Sequence, residues 1–332
     1  MHQKTEVSQQ FTLKVYSRLH MTLLAMHKGM YRMNGGIGFA INEPRCEFAF
    51  SRATDFSITD NRAYPLADDE NEKIITLLQN IREKNGFANA VEVIIEGNMI
   101  PHAGFGSGTA ITLACIEALH TINNSNPSKD DLIRESRRGG TSGIGIHTYF
   151  TGGCVFDLGR PIDNKMHSPS NHVASPILPL LLDQLPMPDW DFGVCIPLAI
   201  PRKTQAEERA FFERICPLES DAVYETLYHT LFGLYPAIRE GNRSTFCHAL
   251  RAIQACAWKQ AERQEYGVAL SDLEQSLYEQ GAEAVGMSSL GPSLFFLAEN
   301  VPDLIAKMRN KRPDCEWLLT KPANHGRKLS HD

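Results

Sequence analysis

Residues 101–110, PHAGFGSGTA, place three glycines, a serine and a threonine between two regular patterns. The run before them, VEVIIEG, sets Val91, Val93 and Ile95 on one face, the period-two signature of a strand. The run after them, AITLACIEALHTI, is apolar nearly all round and reads as a buried helix. A strand that turns through glycines into a helix has a specific physical consequence. The first-turn amides have no partner inside the helix, and the helix dipole adds partial positive charge there. Glycine admits positive φ and lets a ligand approach the backbone closely. With the hydroxyls of Ser107 and Thr109, residues Gly104, Gly106 and Gly108 form a pattern suited to a phosphate or diphosphate. The spacing is neither the lysine-bearing Walker loop nor the G-x-G-x-x-G of a dinucleotide fold. Taken alone, the same turn also suits tight strand–helix packing.

Two further stretches, GGTSGIGIH at 139–147 and GMSSLGPS at 286–293, are also small-residue loops rich in hydroxyls. Three such loops favour one shared anionic pocket. They bring Ser142, Gly143, Gly145, Ser288, Ser289 and Gly291 into the candidate phosphate site. Arg134, Arg137 and Arg138 could face an anion there or form a solvated helix end.

Around these loops the chain alternates elements. FTLKVYS reads as a strand with Phe11, Leu13 and Val15 on one face, and Ile74 to Ile81 as a helix face ending near Gly86. Ser128 with Asp131, Thr204 with Glu207, and Ser271 with Glu274 resemble capping boxes. The helix opened at Ser128 is expected to stop at Gly139–Gly140. A proline-rich stretch at 160–190 marks a junction, dividing the chain into 1–175 and 176–332. The second part reads strand, helices, strand, helix, strand, an α+β order.

Composition narrows the function classes. The net charge of -6 argues against broad nucleic-acid binding. No apolar run is long enough to span a membrane, and no N-terminal signal peptide is evident. The eight cysteines form no CxxC pair and sit in apolar runs, as expected for reduced thiols in a cytoplasmic protein.

In order and separation, GFGSGTA, SGIG and GMSSLGPS resemble the three loop motifs of the GHMP kinase superfamily. SRLHMTLLAM (17–26), RMNGGIGFAINEP (32–44) and SGIGIHTYFTGGCVFDLG (142–159) are similar to its β-ribofuranosylaminobenzene 5'-phosphate synthase branch. The resemblance implies a two-domain α+β fold: an N-terminal α/β domain like domain 2 of ribosomal protein S5 and a C-terminal ferredoxin-like domain. It implies an enzyme that condenses 4-aminobenzoate, or a related hydroxybenzoate, with phosphoribosyl pyrophosphate. Carbon dioxide and pyrophosphate leave, in methanopterin-type cofactor biosynthesis. Arg18 and His20 become the catalytic candidates, with His20 otherwise a packed histidine; Asn34, Gly35, Gly36 and Arg138 line the substrate pocket. Mg²⁺ is the implied cofactor, with Asp157 either its carboxylate or a strand-end turn former, and a homodimer is expected. Many kinases of the superfamily carry Ser-Gly-Ile-Asp where this chain has Ser142-Gly143-Ile144-Gly145, so no carboxylate stands there to accept a hydroxyl proton. The chain also departs from the synthase pattern at Asn34, Arg137, Met287 and Leu290, which leaves the aromatic acceptor open. An ATP-dependent small-molecule kinase and a non-catalytic ligand sensor are the alternatives.

Overall fold

The computed structural model describes residues 10–162, 167–169 and 177–331. The expected junction at 175/176 lies outside the described residues. Two antiparallel hairpin strands, β1 (Gln10–Ala25) and β2 (Arg32–Ala53), form the spine of the molecule. In β1 the alternation is strict from Phe11 to Val15, with one face on the core and one on solvent. From Leu19 to Leu24 every residue is buried. The change marks where the second sheet and its helices cover the outer face. Met33 to Ile41 of β2 is likewise buried throughout.

The first sheet adds β3 (Ser57–Asp60), β4 (Ala90–Gly97), β5 (Cys154–Asp157), β6 (Arg160–Pro161) and β7 (Leu181–Leu185). A last strand, β12 (Lys328–His331), returns to pair with β1, and the order is β12-β1-β2-β4-β3. β2 is long enough to serve two partners: its C-terminal half pairs with β4, while Gly36 to Phe39 pair with β5. Helix α1 (Asp68–Asn85) closes on Gly86 in the left-handed conformation, as the sequence leads one to expect. α2 (Ser107–Ile122), α3 (Lys129–Ser136) and α4 (Ile144–Thr151) complete this half. α2 is the buried helix, with Ile111 to Ile116 all inaccessible or nearly so. The capping box at Ser128 is present, but α3 ends at Ser136 because Arg137, not a glycine, takes the left-handed cap at φ 55°.

The second sheet contains β8 (Phe192–Pro197), β9 (Ala282–Met287), β10 (Leu294–Ala298) and β11 (Cys315–Thr320), antiparallel in the order β11-β8-β10-β9. Both of its faces are covered. Phe295 joins Phe39, Phe192 and Phe246 in the core shared with the first sheet. Its neighbour Phe296 points the other way, toward α10 (Gly267–Glu279) and α11 (Val301–Lys311). Between β8 and α10 run α5 (Gln205–Ile215), α6 (Ser220–Tyr228), a π-helical turn at His229–Leu234, α7 (Tyr235–Glu240), α8 (Arg243–Ala255) and α9 (Ala257–Gln264). Thr204 and Glu207 make the expected capping box of α5. Ser271 does not cap: it lies inside α10, and its hydroxyl donates to the carbonyls of Gly267 and Val268. A third cluster joins the halves, with Leu23 of β1 and Met26 just beyond it against Phe211, Phe212, Trp258 and Leu290.

Phe39 is fully buried between Phe192 and Phe295, so it couples the two sheets directly. Phe39→Ala is expected to cost about 3–5 kcal/mol, read as a lower urea midpoint with an unchanged slope.

Candidate active site

α2 begins one residue after Gly106, which is its cap at φ 77°. The first helical bond runs from the Ala110 amide to the Gly106 carbonyl at 3.2 Å. The amides of Ser107, Gly108 and Thr109 are therefore left without helical acceptors at the positive end of the dipole. Gly104, at φ 91°, has to be glycine for a second reason. A Cβ there would lie 2.3 Å from the Ser288 carbonyl oxygen.

That contact belongs to a clasp of three segments. The Ser288 hydroxyl donates to the Gly104 carbonyl at 2.7 Å and accepts from the His20 amide at 3.0 Å. The Arg18 guanidinium donates to the same Gly104 carbonyl through Nη1, and the Arg18 amide donates to the Phe105 carbonyl at 3.1 Å. The Ser289 amide donates to the His20 carbonyl at 2.9 Å. The expected loops at 104–109 and 286–293 are thus brought together by β1, which carries Arg18 and His20.

The space between them is a cleft of about 190 Å³. Gly104, Gly106, Ser107, Gly108 and Thr109 form one wall, with Ser142 and Gly145 beside them. Two guanidiniums flank this wall. A Cβ at Gly106 would meet Arg18 Nε at 3.0 Å, and one at Gly108 would lie 3.5 Å from Arg138 Nη2. Burial lowers Arg18 to about 10, partly offset by Glu208 and Glu262, and it lowers Arg138 in the same way. Arg18 Nε is buried with no hydrogen-bond partner, a donor directed at the glycine turn. His20 Nε2 shares a hydrogen bond with the Ser142 hydroxyl at 3.3 Å. Desolvation, then Arg18 and Lys259, hold its imidazole well below 6.5, so it is neutral at physiological pH.

Other expected residues stand behind the cleft rather than on it. Asn34, at φ 65°, donates to the Gly140 carbonyl at 3.0 Å and pairs with His167. The Gly35 amide donates to the Thr141 carbonyl at 3.0 Å, and a Cβ on Gly36 would meet His20 Nε2 at 3.0 Å. These three shape the second loop and seat the His20 ring. Ser288 is fully buried in the clasp, while Ser289 and Gly291 reach the cleft.

Asp157 does not fit the role of a magnesium ligand. Its side chain is fully buried. One oxygen accepts the Gly143 amide at 2.5 Å and the other the Gly159 amide at 2.8 Å. Both are spent on pinning the SGIG loop to β5, the turn-forming alternative. Desolvation raises its carboxyl to about 6 against those two bonds.

The cleft is also lined by residues that sequence reasoning missed. Glu70 of α1 pairs with His102 at 2.8 Å, Glu208 comes from α5, and Glu262 comes from α9. His102 stands within the quoted glycine stretch and could have been singled out; Glu208 and Glu262 lie in ordinary helical patterns. Lys259, fully buried, donates to Glu262, to the Met287 carbonyl at 2.8 Å and to the Ser289 carbonyl at 3.1 Å. It fixes the third loop from below.

Known proteins resemble this chain in sequence and in fold. Residues 72–152 match the family model for the GHMP kinases N-terminal domain. The chain is 28% identical over 320 residues to the β-ribofuranosylphenol 5'-phosphate synthase of Archaeoglobus fulgidus, covering 95% of this chain and 97% of that protein. It is 27% identical over 330 residues to the protein of the same name from Methanocaldococcus jannaschii, covering 94% and 98%. Among solved structures, homoserine kinase from Cytophaga hutchinsonii superposes with a TM-score of 0.67 at 15% identity, covering 99% of both chains. L. major mevalonate kinase superposes with a TM-score of 0.66 at 13% identity, covering 98% of this chain and 100% of that one. These two likenesses concern the fold alone.

Gly104→Ala is expected to cost about 2–4 kcal/mol, from positive φ and the Ser288 clash together. Gly108→Ala, with nothing nearer than 3.5 Å, should hold its melting temperature within a few degrees of the parent. Lys259→Met leaves the buried Glu262 without its cation and should cost about 3–5 kcal/mol by chemical denaturation.

Proposed function

We propose that this chain, similar to the GHMP kinases over residues 72–152 and to the ribofuranosylphenol phosphate synthases over most of its length, joins a 4-substituted benzoate to phosphoribosyl pyrophosphate in its cleft, releasing carbon dioxide and pyrophosphate. The observation that carries the reading is the make-up of the anion wall. Free amides at the α2 N-terminus sit between two guanidiniums, and Gly145 faces Thr109 with no side chain of its own. Such a wall is suited to a departing diphosphate, whose negative charge grows as the anomeric bond breaks. Arg18 and Arg138 hold its oxygens by charge-assisted bonds. Neutral His20 and Ser142 add hydrogen bonds near the ribose. The relatives' name supports a hydroxybenzoate over an aminobenzoate as acceptor, since it specifies a ribofuranosylphenol.

The ring carbon bearing the carboxylate attacks the anomeric carbon, and loss of carbon dioxide restores aromaticity. No ring proton has to be removed. Asp157 being engaged, that carboxylate is not a magnesium ligand, and Mg²⁺ would arrive with the donor, where it would help neutralise the leaving group's charge. The eight free cysteines support a reducing, cytoplasmic setting. No helix among the described residues is long and apolar enough to cross a membrane.

The test is direct. Protein, phosphoribosyl pyrophosphate, Mg²⁺ and 4-hydroxybenzoate should release carbon dioxide and pyrophosphate in equal amounts. Arg138→Ala should raise KM for the donor about tenfold while changing the acceptor KM far less. Silence across a panel of benzoates, with phosphate transfer from ATP to an alcohol, would replace this reading with the kinase.

A further inference from the structure

One wall of the cleft remains without a role. Thr204 and Glu207 cap α5 reciprocally: the Thr204 amide donates to Glu207 Oε2 at 2.8 Å, and the Glu207 amide donates to Thr204 Oγ1 at 3.3 Å. That cap sets the rotation of the helix. Glu208 and Phe212, four residues apart, then share the face that looks into the cleft. Phe212 packs with Leu23 and Leu290 in the cluster between the two halves, and all three line the cleft. They make an apolar floor for a flat ring in the same cleft as the glycine turn. Glu208 stands one helical turn from Phe212, at the edge of that floor.

The other two cleft carboxylates are already committed. Glu70 pairs with His102, and Glu262 accepts from Lys259 and, at 2.7 Å, from the Trp258 indole. The Glu208 carboxylate has no hydrogen-bonded partner among the described residues. We propose that Glu208 is a catalytic carboxylate that takes the proton of the acceptor's para hydroxyl, thereby activating the opposite ring carbon for attack. The inference rests on the proposed synthase reading and deepens it.

The step balances. The phenol O–H bond breaks, its proton goes to Glu208, and its electron pair enters the ring. The carboxylate-bearing carbon forms the bond to the anomeric carbon as the anomeric C–O bond to diphosphate breaks. The product of that step is a cyclohexadienone that still bears the carboxylate. Its C–CO₂ bond then breaks, carbon dioxide leaves, and the electron pair returns the ring to a phenoxide. Glu208 gives its proton back to the phenoxide oxygen.

The groups facing Glu208 are His102 from the glycine turn, Arg18 from β1, Lys203 before α5 and Arg138 after α3, with Glu262 and Tyr266 on the α9 side. Burial raises its carboxyl to about 7 despite the four basic groups. A carboxyl there accepts and returns a proton near neutral pH. The sign follows: the carboxylate form is the competent one, so kcat rises as pH passes upward through about 7.

The experiment measures kcat against pH with 4-hydroxybenzoate and with ring-fluorinated 4-hydroxybenzoates, whose phenols ionise more readily. Glu208→Gln should lower kcat for 4-hydroxybenzoate about 100-fold or more, remove the rising limb, and be rescued by the fluorinated acceptors. In the wild type the limb should keep its midpoint across acceptors. A variant with the parent's kcat and limb, an equal loss with every acceptor, or a wild-type midpoint that follows phenol acidity would overturn the role of Glu208 alone. A wild type that makes no riboside from any benzoate would overturn the synthase reading, and this inference with it.

Discussion

Everything at the site depends on how closely the backbone of Gly104 approaches that of Ser288. The absence of a Cβ lets the glycine turn press against the third loop, and the buried Ser288 hydroxyl converts the contact into a hydrogen-bonded clasp with His20 and Gly104. β1 runs through this clasp. Arg18 is therefore held at the glycine turn by its own amide and by its guanidinium. The first turn of α2 then points its unpartnered amides into a cleft lined by β1, the three loops and residues of α1, α5 and α9. Without that approach, the loops at 104–109 and 286–293 would be two unrelated turns.

Charges of both signs meet in the cleft. Among the described residues its lining brings the glycine turn and two guanidiniums together with three carboxylates, two of them answered by His102 and Lys259. A buried ammonium is costly unless its donors are satisfied, and Lys259 meets that condition with one carboxylate and two carbonyls of the third loop. Gln254 acts similarly, donating to the Met21 carbonyl at 3.2 Å and accepting the Met287 amide at 3.1 Å. These polar side chains align β1, α8, α9 and β9, so the site is positioned by buried hydrogen bonds as well as by apolar packing.

Much of the fold can be read from periodicity. Strict alternation in FTLKVYS and VEVIIEG, the all-round apolar α2 and the capping boxes at Ser128 and Thr204 each correspond to an observed element. The misreadings have local physical causes. Ser271 sits three residues before an acid yet lies mid-helix, because a hydroxyl inside a helix can bond back to a preceding carbonyl. Arg137 takes a left-handed cap that glycine usually fills. β12 is short and polar, and only its register with Lys14 and Thr12 of β1 makes it a strand.

The linear chain by itself determined the anion cradle. Glycine spacing before an apolar helix is a local property, since it follows from backbone freedom and from unpaired first-turn amides. It also determined that three hydroxyl-rich loops would be available, and that no acid would stand at position 145. Tertiary structure decided what each neighbouring polar group does. Asp157 became a clamp for two amides, Ser288 a buried clasp, and Asn34 a support for the second loop. Glu208, distant in sequence from every glycine-rich loop, came to face the cradle because α5 is rotated by its cap and docked by Phe212. Such roles depend on burial and on partners brought from far along the chain, and neither quantity is written in residue order.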